Sequence, residues 1–183
     1  MPRKSRDDWT EAALDALRRG GIDAVRVETL AADLGVTKGS FYHHFDNRRS
    51  LLEAMLIRWE RIGTDAIIAM VNEGAGDPID QLRTLLRVAT ASSPGGADVD
   101  ARLRAWASID IDVADTIARV DAKRIAYVVD LLVASGVPQR QAKLRSAALY
   151  RMLIGEYVWR SSGGPRATPA FLDEVLDMVT ASG

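Results

Sequence analysis

Between Val27 and Leu52 the chain reads VETLAADLGVTKGSFYHHFDNRRSLL, and here it concentrates the side chains best suited to gripping another molecule. Lys38 is a donor for phosphate or for a guanine edge. Gly39 lets a helix terminus approach closely, and Ser40, Tyr42 and His43 add donors to phosphate oxygens. Arg48 and Arg49 open the segment that follows, placed to flank a phosphate backbone. Arg3, Lys4 and Arg6 make a short basic arm of the kind that follows DNA beyond the main contact.

Rival chemistries are poorly supplied. His43 and His44 are adjacent and so point to different faces of a helix, whereas a shared metal needs about i,i+4 spacing. Asp110, Asp112, Asp115 and Asp121 are spaced roughly like calcium ligands. However, Asp115 and Asp121 stand where such a loop needs glycine and glutamate. A helix opening near Asp112 explains these acids through its dipole. No GK[ST] follows Pro94-Gly95-Gly96 or Gly163-Gly164-Pro165, and no GxSxG or HExxH occurs. With no cysteine there is no disulfide, thiolate nucleophile or cysteine-held metal. Neither an enzyme nor a metal or cofactor protein is expected.

The elements that must position these groups are helical. Leu30, Ala31 and Leu34 form the inner face of a short helix that Gly35 can end in a left-handed conformation. Val36 plugs the turn, Thr37 is placed to cap the next helix, and Phe41 and Phe45 would pin that helix to the core. Helix, glycine turn and a second helix with a polar face form a helix-turn-helix pattern. Elsewhere Gly20-Gly21, Gly74 to Pro78, Ser92 to Gly96, Gly136 to Pro138 and Ser161 to Pro165 punctuate the chain. Between them apolar residues recur at helical spacing, as in Trp9, Ala13, Ala16 and Leu17, or Leu52, Met55, Leu56, Trp59 and Ile62. Asp77-Pro78 and Thr168-Pro169 each set a capping acceptor before a proline suited to a first helical turn. The pattern predicts an all-α chain of about nine helices. Residues 1–47 would form the helix-turn-helix unit and 48–183 a longer-helixed bundle. A breaker-free segment, 48–73, joins them without a flexible linker.

Of 183 residues 48% are apolar, 24 are Lys or Arg and 25 Asp or Glu, so the chain can bury a core and its net charge of −1 excludes a uniformly basic binder. The sum hides a local face: Gly35 to Leu52 holds three cations and one acid, giving +2 there and −3 elsewhere. Arginine outnumbers lysine 20 to 4, a bias we read as genome composition. No run reaches the ~18–20 apolar residues that cross a bilayer, and Met1 to Trp9 is too charged for a signal peptide. A cytoplasmic protein with no membrane partner is expected.

The stretch GVTKGSFYHHF, with Leu30-Ala31, Leu34-Gly35-Val36, Lys38-Gly39-Ser40, Phe41-Tyr42, His44-Phe45, Asn47 and Leu51-Leu52, closely resembles the DNA-binding domain of TetR-family transcriptional regulators. The motif covers about residues 10–60; beyond it the chain matches in length and helical layout. By that resemblance Thr37, Lys38, Gly39, Ser40, Tyr42 and His43 lie at or near DNA, Arg48 contacts phosphate, and His44 is structural. The family commonly caps the helix before Leu30 with Ser or Thr. Arg26-Val27 stand there instead, leaving Arg26 or Thr29 to make that phosphate contact. Arg49 replaces a frequently acidic residue.

The resemblance also implies an effector inside the C-terminal bundle. Aromatics in such a bundle are core residues by default, Trp59 and Trp159 included. The candidates for a pocket lining are Ile62, Leu86, Leu103, Trp106, Tyr127 and Tyr150, with Trp106 foremost. It further implies a four-helix contact between two copies, through Ala148, Leu149, Met152 and Gly155 in 139–160 and Leu172, Val175, Leu176 and Val179 in 169–181. The expected protein is a homodimeric repressor that binds a pseudo-palindromic double-stranded operator and is released by a small molecule. Its rivals are a constitutive DNA-binding regulator and a small-molecule binder or enzyme with a vestigial motif.

Overall fold

The computed structural model describes residues 4–74, 76–91 and 97–181, so Arg3 of the basic arm and the Pro94-Gly95-Gly96 loop lie outside the described residues. The described residues are helical throughout, with no strand among them. Helix α1 (Arg6–Gly20) begins in a capping box in which Ser5 and Asp8 satisfy one another's backbone N–H groups. A 3₁₀ turn, Ile22–Ala24, leads to α2 (Val27–Asp33) and the single-turn α3 (Lys38–Phe41). Gly35, with φ +67°, turns the chain between α2 and α3 in the left-handed conformation that a Cβ disfavours.

Asn47 caps α4 (Arg48–Glu60), which passes without a break through a π turn, Arg61–Asp65, into α5 (Ala66–Glu73). Counted as one rod, this segment brings the helices among the described residues to nine. Asp77 and Thr168 accept from the opening N–H groups of α6 (Pro78–Thr90) and α10 (Pro169–Thr180). Between them lie α7 (Ala97–Ala107), α8 (Ile111–Ala134), opened by the Asp110 carboxylate, and α9 (Gln139–Ser161). Asp110 therefore serves as a helix cap. No helix among the described residues is long and apolar enough to cross a membrane.

Among the described residues the core forms three clusters, a small one of Tyr150, Leu153 and Tyr157 and two larger ones, of which the first extends across residue 47. One cluster joins Trp9, Leu17, Leu30, Phe41 and Phe45 to Leu51, Met55 and Trp59 of α4, and continues into Val99, Leu103 and Trp106 of α7 and Val113, Ile117 and Val120 of α8. The helix-turn-helix unit is thus seated on the bundle by a shared apolar interior. The second cluster packs α6, α8, α9 and α10 around Leu82, Leu132 and Leu176. Trp59 is buried as expected of an aromatic in a bundle, whereas Trp159 lies on the outer face of α9 with 61% of its surface exposed.

Candidate DNA interface and bundle cavity

Phe41 fixes the recognition helix. It is fully buried, meets Trp9 edge-on at 5.3 Å and stacks on Phe45 at 5.4 Å, so α3 has one rotational setting. That setting turns Thr37, Lys38, Gly39, Tyr42 and His43 to the surface, with Ser40 half-buried. Tyr42 is 56% exposed, with its ring edge-on to Phe41 at 5.2 Å. A Cβ at Gly39 would meet only Thr37 Oγ1 at 3.7 Å, an ordinary contact, so nothing inside the chain demands glycine there. Lys38 Nζ pairs with Glu28 Oε1 at 2.5 Å, which holds the Glu28 carboxyl below its usual range and the lysine above its own.

Several sequence expectations shift here. Thr37 occupies the cap position of α3, yet its side chain makes no capping bond; the hydroxyl stays at the surface. Arg26 likewise precedes α2 without capping it and donates instead to Asp23 O at 2.9 Å, while Thr29 is exposed in the first turn of α2. Arg48 stays exposed but reaches the backbone, with Nε 2.8 Å from Val25 O and Nη2 3.0 Å from Ile22 O. Ile22 O already accepts from Val25 N–H in the 3₁₀ turn, and the guanidinium fork reaches both that carbonyl and Val25 O. Arg49 is tied to Glu53 and Asp112 rather than left beside a DNA backbone. Arg6 folds back over the Phe45 ring at 4.5 Å and donates to His44 O, so it braces the motif. His44 buries an Nε2 with no hydrogen-bond partner among the described residues.

The second feature is a cavity of about 60 Å³ between α5, α6, α8 and α9. Leu82, Leu86, Val128, Leu149 and Leu153 give it apolar walls; Thr64, Arg124, Tyr127, Tyr150 and Tyr157 form its polar edge. Leu86, Tyr127 and Tyr150 are therefore where a pocket lining was expected. Ile62, Leu103 and Trp106 are not. α7 packs against α1, so Leu103 and Trp106 point into the first cluster, and Ile62 flanks the same cluster. Trp106 donates from Nε1 to Asp110 Oδ2 at 3.2 Å and borders a shallow groove between α4 and α8.

The cavity's polar edge belongs to a buried charge network that the sequence did not announce. Asp100, only 2% exposed, accepts from Arg104 Nε and Arg124 Nη1, both at 2.7 Å. Arg104 also forks onto Asp121 at 2.8 and 2.9 Å, and the Tyr150 hydroxyl donates to Asp121 Oδ1 at 2.6 Å. Arg124 donates further to Thr64 Oγ1 and Gly63 O of the π turn and lies 4.9 Å from the Trp59 ring centre. Burial opposes the charge on both arginines, but Asp121 and Asp100 outweigh it and raise both above the ordinary value. Burial, reinforced by the bond to Asp121, pushes the Tyr150 hydroxyl up to about 12. Two arginines face two aspartates, so the network is charge-balanced. Its only sequence signal is paired spacing, Asp100 with Arg104 and Asp121 with Arg124, on faces otherwise apolar.

The apolar stripe assigned to a two-fold contact is also redistributed. Leu149, Leu172, Val175 and Leu176 are buried within the chain, and Val179 and Met152 pack at the edge of the second cluster. α10 lies on α6 and α9, and that contact consumes its most apolar side. Ala148 and Gly155 do face outward. Beside them the exposed residues are Leu144, Val158 and Trp159 of α9 and Phe171 and Met178 of α10.

A recognition face held by a buried phenylalanine, on a helical bundle with an internal cavity, defines a helix-turn-helix DNA-binding regulator. Residues 10–55 match the family described as "Bacterial regulatory proteins, tetR family". Over 57 residues the chain is 37% identical to the class D tetracycline repressor protein of Escherichia coli, covering 31% of this chain and 26% of that one. The match thus spans about a quarter of the repressor's length. The whole fold superposes on a TetR-family regulator from Agrobacterium tumefaciens with TM-score 0.80, 20% identity and coverage of 96% of this chain and 97% of that one. A regulator from Saccharomonospora viridis in complex with choline superposes with TM-score 0.75, 16% identity and coverage of 95% and 92%. Residues 10–55 thus match the DNA-binding segment of the TetR family of transcriptional regulators, and the chain shares the fold of a solved regulator of that family.

Proposed function

We propose that this protein is a homodimeric, effector-responsive repressor: residues 1–47 read a pseudo-palindromic operator, and 48–183 hold a small molecule and the two-fold contact. The observation that carries this reading is the seating of Phe41. The residue that orients the recognition face lies in the same apolar cluster as Trp59, and Trp59 in turn stacks under Arg124 at the cavity edge. A displacement of the cavity wall therefore has a contiguous packed route to α3. Arg26, Thr29, Thr37, Lys38, Gly39, Ser40, Tyr42 and His43 form the DNA face. Arg48 acts there chiefly by holding the 3₁₀ turn against α4.

Leu86, Tyr127 and Tyr150, joined by Thr64, Arg124 and Leu149, form the effector site. At about 60 Å³ the cavity is smaller than one of roughly 150 Å³ that admits benzene, so an effector must push the walls apart. That displacement is the differential interaction by which an effector shifts the two conformers. Because the network is already charge-balanced, the best-fitting effector is uncharged and mostly apolar. The choline complex of a neighbour with this fold supports small-molecule binding as such. The two-fold contact is assigned to Leu144, Ala148, Gly155, Val158, Trp159, Phe171 and Met178, the side chains left outside after α10 docks. The protein would act in the cytoplasm, on chromosomal DNA.

Fluorescence anisotropy with duplexes from the DNA upstream of the protein's own gene tests the reading. Alanine at Lys38 and Tyr42 together should weaken binding roughly 10–100-fold while the melting temperature and the dimer persist. Binding should also fall steeply with salt. Unchanged affinity would remove the assigned face. In sedimentation, Phe171→Asp with Met178→Asp should yield monomer.

A further inference from the structure

A carboxylate on a DNA-facing surface requires a reason, because phosphate repels it. Glu28 is such a group. It is exposed in the first turn of α2 and borders the same groove as Arg26, Lys38, Tyr42 and Arg48. A favourable helix dipole accounts for an acid at this position, but not for its partner. Ten residues on, across the glycine turn, Lys38 places Nζ 2.5 Å from Glu28 Oε1, so α2 and the recognition helix α3 together present an acceptor and a donor side by side.

In the major groove only cytosine N4 and adenine N6 donate to a carboxylate, and guanine O6 and N7 accept from lysine. Within a G·C pair O6 and N4 are themselves bonded about 2.9 Å apart, nearly the spacing of the two side-chain atoms. The donor–acceptor pair on the protein thus complements the neighbouring acceptor and donor on that edge. Both side chains are exposed, so trading their mutual bond for bonds to a base pair sacrifices little.

We infer that Glu28 and Lys38 together read one G·C pair in each half-site, Glu28 accepting from cytosine N4 and Lys38 donating to guanine O6 or N7. The inference rests on the operator-binding reading above and adds a base preference to it.

Selection from a random duplex pool tests it, using the full chain and its Glu28→Gln and Glu28→Ala forms. The native chain should enrich half-sites with one fixed G·C pair. Glu28→Gln should convert that position to A·T, because glutamine pairs with adenine N6 and N7. Glu28→Ala should keep the other positions and relax this one, discrimination there falling roughly ten- to a hundredfold. Identical selected sequences for all three chains would overturn the inference and leave operator binding standing. No enrichment by the native chain would overturn both.

Discussion

The two halves of the molecule handle polar groups in opposite ways. In the helix-turn-helix unit the interior is apolar and ringed by aromatics, and the groups that act on a partner stand outside it. In the bundle the arrangement is inverted: Asp100, Arg104, Asp121, Arg124 and Tyr150 lie inside, paired with one another beside a cavity. A surface reader can be built from a few residue types on one short segment. An internal charge network needs side chains from α7, α8 and α9 to converge, and under the proposed effector reading it would respond because paired buried charges are costly to disturb.

The largest test of this contrast is Asp100→Ala. It leaves Arg104 and Arg124 buried without their shared carboxylate and should lower unfolding stability by about 3–5 kcal/mol in urea titrations. A loss near 1 kcal/mol would mean that the interior charges behave like surface ones. Next comes alkaline pH. Tyr150 is held neutral up to about 12 in the folded chain against about 10 when exposed, so its contribution is complete below pH 10 and lost as pH rises towards 12. Stability should fall by on the order of 2 kcal/mol across that window, and Tyr150→Phe should flatten the slope.

Arg48→Ala separates two roles at the seam. The structure gives Arg48 two backbone carbonyls to hold, so its removal should destabilise the fold by about 1 kcal/mol. The slope of DNA affinity with salt should change by well under the roughly one unit expected for a lost phosphate contact. A larger slope change for Arg48 would restore it as a phosphate contact. The smallest effect belongs to Asp112→Ala. Its ion pair with Arg49 spans α4 and α8 at 2.7 Å, but both groups are exposed, and the loss should stay below ~1 kcal/mol and vanish in high salt.

Much of the recognition unit was legible because its information is local. Gly35 declares the turn, the four-residue spacing of Phe41 and Phe45 declares the buried side, and the exposed residues follow by elimination. Longer contacts add what the local reading did not see: Arg48 also reaches carbonyls 23 and 26 residues earlier. Thr37 has the cap position without a cap bond. In the bundle, Trp106 and Tyr150 read alike as aromatics on helices. Only the docking of α7 on α1 sent the first into the shared core, while Tyr150 faces the cavity. The stripes on α9 and α10 show the same limit: helical periodicity marks an apolar side without saying whether it meets its own chain or another.

By itself the sequence determined an all-helical chain, the place and orientation of its helix-turn-helix, and the likeness of that segment to a family of DNA-binding regulators. These depend on turn chemistry and on periodicities within a few dozen residues. Tertiary structure alone decided that the two units share a core, that a π turn brings Gly63 and Thr64 to Arg124, and that four charges and a tyrosine pair with one another beside a cavity that Arg124 and Tyr150 reach. Those arrangements join residues some 20 to 60 positions apart, and their partners are chosen by how the helices pack.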